Sequence, residues 1–127
     1  MGKDRLLKRG DLIQLEKGMK VYATIPEKFI YSNRTTDEKK RTDVKIGEIL
    51  SCKTCEEVFD TSIFEGEYRV VATAEDGGGT GMGKYDYYPN GHHVFCEKKD
   101  NSNIFVDFYQ TGAFTAMIKP EEIKPLE

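Results

Sequence analysis

From Gly66 onward the chain alternates apolar and polar side chains with a period of two, and this spacing constrains the fold more than any other feature. In Glu67 to Ala74, Tyr68, Val70 and Ala72 alternate with Arg69, Val71 and Thr73, which puts the two sets on opposite faces of an extended strand. His92 to Glu97 and Asn103 to Tyr109 read as paired strands joined by the polar turn Lys98 to Ser102, and Ala113 to Ile118 reads as a last strand. The same pattern runs upstream. Asp11 to Leu15 is one strand-like piece; Lys17-Gly18 signals a turn; Met19, Val21, Ala23 and Ile25 then share a face until Pro26. Val44 to Leu50 resumes the pattern, and no amphipathic run of helical period and useful length interrupts it.

Many short strands in 127 residues predict a mainly β chain: a small antiparallel barrel, SH3-like by its order of strands, glycine loop, tight hairpin, final strand and helical turn. The helical turn is expected at Pro120-Glu121-Glu122-Ile123, where Pro loses no hydrogen bond and the acids favour the positive helix end. One domain, residues 1–127, fits this length. Residues 1–9 read as a basic arm carrying Lys3, Arg5, Lys8 and Arg9. Residues 32–43, with no apolar side chain among them, read as a long exposed or disordered loop insertion.

Net charge and cysteine count narrow the function classes. With 19 basic and 22 acidic side chains, net −3, the chain has no global field that would draw it to a polyanion. No run approaches a membrane span, and Met1 to Gly10 is charged where a signal peptide needs an apolar core. Three cysteines, an odd count, suggest thiols in a reducing compartment; the expected localisation is cytoplasmic.

Gly77-Gly78-Gly79-Thr80-Gly81-Met82-Gly83-Lys84 contains the G-x4-G-K core of a phosphate-binding loop. Such a loop also needs a hydroxyl residue for magnesium and a helix whose amides face the phosphates. Tyr85 stands where that motif needs Ser or Thr, and Asp86 to Gly91 is a turn sequence. The segment is therefore read as a glycine loop that lets a partner or an anion approach closely.

Cys52-x2-Cys55 and His93-x2-Cys96 together supply four potential zinc ligands. On a strand, however, His93 and Cys96 point to opposite faces, while His92 and Cys96 share a face but lie about 13 Å apart, too far for one metal. The expectation is no metal, with a zinc-stabilised module as a further alternative. A thiol nucleophile would have only His92, His93, Cys96 and Asp107 to draw on, with no catalytic context around them, so a non-enzymatic chain without cofactor is expected.

Tyr85, Tyr87 and Tyr88 lie between the glycine loop and the hairpin turn, in a segment too polar to be wholly core, with His92 close by. Tyrosine suits contact surfaces because it offers a large apolar area with few rotors and a hydroxyl tolerant of water. Gly78, Gly79, Lys84, Tyr85, Tyr87, Tyr88 and His92 therefore form the expected binding set. The chain reads first as a protein-binding module, a regulator or inhibitor. The alternative is a nucleic-acid-binding small barrel using Lys39, Lys40 and Arg41 with the basic arm, although Asp37, Glu38 and Asp43 dilute that patch to a solvated loop.

Overall fold

The computed structural model describes residues 6–31, 33–76, 91–100, 102–110, 116–119, 122–123 and 125–126. Its strands are β1 (Leu12–Leu15), β2 (Lys20–Pro26), β3 (Lys39–Lys45), β4 (Ile49–Ser51), β5 (Val58–Asp60), β6 (Gly66–Asp76), β7 (Gly91–Lys98), β8 (Phe105–Gln110) and β9 (Met117–Ile118). Single turns of 3-10 helix stand at Glu27–Phe29 and Thr61–Phe64; no α-helix occurs among the described residues. Seven strands form one sheet in the order β1-β6-β7-β8-β2-β3 with β9 against β8, and β4-β5 is a separate hairpin.

Ile13 and Leu15 of β1 share one core with Val44 of β3 and its neighbour Ile46, although β1 and β3 occupy opposite ends of the strand order. One core fed from both ends requires a curled sheet. β1 and β3 do not pair with one another, so the sheet stays open in place of the closed barrel expected from sequence.

The period-two reading holds in β2, where Val21, Ala23 and Ile25 are buried and Lys20 and Thr24 exposed. In β6 it holds only as far as Val70. The register slips between Val70 and Ala72, pairing Val70 with Cys96 but Ala72 with Phe95. This bulge at Val71 exchanges the faces: Ala72 is exposed, contrary to its expected inward position, and half-buried Thr73 takes its place opposite buried Val94.

Two further expectations are corrected. Residues 39–43 of the polar stretch belong to β3, which pairs with β2 along its whole length, so the connecting loop stops at Glu38. Only Val44 enters the core from β3, and the remaining charges suit an edge strand, whose outer side meets water. The described part of the basic arm is also docked. Leu7 is buried in the core, its N–H donates to Gln110 Oε1 at 2.7 Å, and the His92 Nε2–H donates to its carbonyl at 2.6 Å.

Of the expected last strand, Ala113 to Ile118, the described part holds β9, which runs parallel to β8 opposite Tyr109 and Gln110. It fills the place beside β8 that β2 leaves, because β2 pairs with β8 only at Val106 and Asp107. Beyond it the Glu122 N–H donates to the Lys119 carbonyl at 2.8 Å, while Pro120 and Glu121 of the expected helical turn lie outside the described residues.

Candidate functional site

Alternation along β8 sends Val106, Phe108 and Gln110 to the core side and Phe105, Asp107 and Tyr109 to the outer face. Asp107 nevertheless is 9% exposed and Tyr109 is buried, so side chains from neighbouring strands cover this outer face. Arg41, from β3, donates through Nη2 to Asp107 Oδ2 at 2.6 Å and through Nε to both carboxylate oxygens at 3.2 Å. Its guanidinium lies 4.1 Å from the ring centre of Tyr22. From β7, the His93 Nε2–H donates to the same Oδ2 at 2.7 Å. The His93 ring stacks on Tyr109, and Phe95 packs on its other neighbour position, both with centroids 4.1 Å apart. Tyr22 meets Tyr109 edge to face at 6.1 Å.

This cluster is an electrostatic keystone laid over the sheet. Asp107 ties β3 to β7 across two intervening strands, and its hydrogen bond to Arg41 is the main cause holding the arginine charged even more firmly than usual. A carboxylate bonded to a histidine also orients an imidazole for proton transfer. Cys96 cannot serve as the nucleophile for that histidine, because its side chain points into the core and burial pushes its thiol well above the ordinary range.

At the other end of β8 the outer face opens into a cleft of about 460 Å³, lined by Thr24, Pro26, Lys39, Phe59, Ile63 and Phe105 among others. Phe105 is 56% exposed and Ile63 44% exposed. The Thr61–Phe64 turn that forms one wall is held by Asp60, whose side chain accepts from the Ser62 N–H at 3.0 Å. The Lys98 Nζ anchors the same wall through the Ile63 carbonyl at 2.6 Å.

Gly78, Gly79, Lys84, Tyr85, Tyr87 and Tyr88 lie outside the described residues. The described strands on either side of that segment meet at the Asp76–Gly91 pair, two positions from the pairing of Ala74 with His93. His92 points the other way from His93 and grips Leu7. Cys52 and Cys55 form a disulfide within the β4-β5 connection, in place of the free thiols expected. The four candidate zinc ligands do not converge: two are bridged to each other, Cys96 is in the core and His93 faces outward onto Asp107. The described residues hold no group of three or more metal-ligating side chains.

Sequence reasoning named Arg41 and Asp107 only for separate roles and missed their pairing, along with Tyr22 and the cleft. One signal was available: Asp107 interrupts the aromatic run Phe105 to Tyr109, and a carboxylate in mid-strand needs a cationic partner. Comparison of the chain with protein-family models, with curated proteins and with solved structures finds no match.

Proposed function

We propose that this chain is a non-enzymatic interaction module, a regulator or inhibitor in kind, that grips a protein partner with the outer face of β7, β8 and β2. The face runs from the cleft at Phe105 to His93, near the Asp76–Gly91 pair from which the glycine- and tyrosine-rich segment departs. The exposure of Phe105 at the rim of a cleft lined in part by Pro26, Phe59 and Ile63 carries this reading: a large aromatic side chain left in water beside a pocket has the chemistry of a contact anchor. The Asp107 cluster serves as its rigid backing, since a platform whose rotamers are locked loses little entropy on binding.

The test is affinity capture from a lysate of the source organism, with Phe105→Ser, Tyr87→Ala and Tyr88→Ala compared with the parent chain. Each variant is expected to keep its thermal midpoint within a few degrees and to lose the captured protein. Capture undiminished in all three would refute the reading.

A nucleic-acid reading draws on Lys39, Lys40 and Arg41, which the structure aligns along one strand. It requires binding that falls steeply with salt.

A further inference from the structure

We propose that the partner contributes an extended acidic segment that pairs with the open edge of β3, extending the sheet by one strand. This rests on the contact-surface reading above and specifies the partner's chemistry.

The backbone argument comes first. The Ile46 N–H donates to the Met19 carbonyl, and the Glu27 N–H donates to the Glu38 carbonyl, so even-numbered residues from 38 to 46 turn their backbone groups toward β2. Odd-numbered residues then turn theirs away. At Lys45 that outward carbonyl accepts from Thr61 Oγ1 at 2.9 Å. At Lys39, Arg41 and Asp43 no described residue meets the outward groups, and β3 closes the strand order. Three consecutive outward residues suffice to seat a short incoming strand.

The charges argue for the sign of that strand. Lysine on an edge strand commonly guards against aggregation, but the arrangement here exceeds that need. Lys20 and Lys45 are paired directly across β2 and β3, and like charges in opposed positions destabilise a sheet. Neither has an ion-pair partner among the described residues, nor does Lys39. Lys39, Arg41 and Lys45 project from the outer face at alternate positions, with Asp43 between them. An incoming strand with acidic side chains opposite Lys39 and Arg41 and a basic one opposite Asp43 complements each position. Arg41 already holds Asp107, yet half of its side chain remains exposed.

The experiment uses the full chain and fluorescence anisotropy of a labelled synthetic peptide with Lys, Glu and Glu at every second position and Val and Thr between, its order antiparallel to β3. The peptide is expected to bind, and Lys39→Glu is expected to weaken it by about tenfold or more, a change of about 1.4 kcal/mol. N-methylating the peptide at the positions that face β3 should abolish binding, whereas N-methylation at the alternate positions should not. Three results would overturn the proposal: equal binding of the peptide with Glu replaced by Lys, indifference to the charge reversal, or binding of a thymidine oligonucleotide with none of the peptide. If the peptide fails to bind while capture still depends on Phe105, this inference falls and the contact-surface reading stands.

Discussion

Replacing Asp107 by Asn should destabilise the fold by an amount that the geometry fixes within limits. Asp107 accepts from Arg41 through both oxygens and from His93 through one, and Asn offers one oxygen and one NH2, so at least one donor is left facing another donor. Breaking a fully buried ion pair costs roughly 3–5 kcal/mol, whereas exposed pairs contribute about 0–1 kcal/mol. The Arg41 side chain is 49% exposed and that of Asp107 is 13%, so water can resolvate the arginine but not the carboxylate site. The expected cost is therefore intermediate, about 2 kcal/mol, close to that of a hydrogen bond to a charged group. For a chain of this size it lowers the thermal midpoint by about 5–10 °C. Arg41→Met removes the same bonds from the other side, and a double-mutant cycle read by urea unfolding and circular dichroism should give a coupling of about 1–2 kcal/mol. Additivity of the two single changes within about 0.3 kcal/mol would refute the keystone role of Asp107.

Other consequences are simpler to measure. Leu7→Ala should cost about 2–4 kcal/mol, because a buried leucine is truncated in the core; a loss below about 0.5 kcal/mol would show that the arm is not docked. Asp60 caps the Thr61–Phe64 turn, and its hydrogen bonds from Ser62 hold its carboxyl below the usual range. A depressed folded pKa contributes stability above the unfolded value that is lost as pH falls through the folded one. Asp60→Asn should therefore flatten stability against pH below about pH 4 and leave neutral stability little changed; an unaltered acid limb would count against the cap. The disulfide between Cys52 and Cys55 predicts an intact mass about 2 Da below that of the reduced chain, and full alkylation of these thiols without reductant would contradict it.

The sequence made some of this legible for physical reasons. β2, β7 and β8 carry β-branched and aromatic residues, and the turn-signalling dipeptide Asn90-Gly91 stands just ahead of His92 in the sequence, so the facings of His93 and Cys96 were readable before any register was known. β3 was not readable. Lys39-Lys40-Arg41-Thr42-Asp43 contains no apolar residue, because on an edge strand only one side is bonded and here only Val44 reaches the core. The bulge at Val71 left no mark either: Tyr68 to Thr73 fits a regular strand, and only the pairing with Val94 and Cys96 forces the extra residue. Arg41 and His93 meet on Asp107 from distant parts of the chain, so their association depends on strand order. Leu7 read only as part of the basic arm because its partners, Gln110 and His92, lie far along the sequence.

The most direct measurement places p-benzoylphenylalanine at position 105 of the outer face and, separately, at Gln14 of β1, and irradiates each chain in lysate of the source organism. An adduct to one protein from position 105, and none from position 14, is the predicted result. Equal adducts from both positions, or none from position 105, would contradict the claim that this face is where the molecule meets its partner.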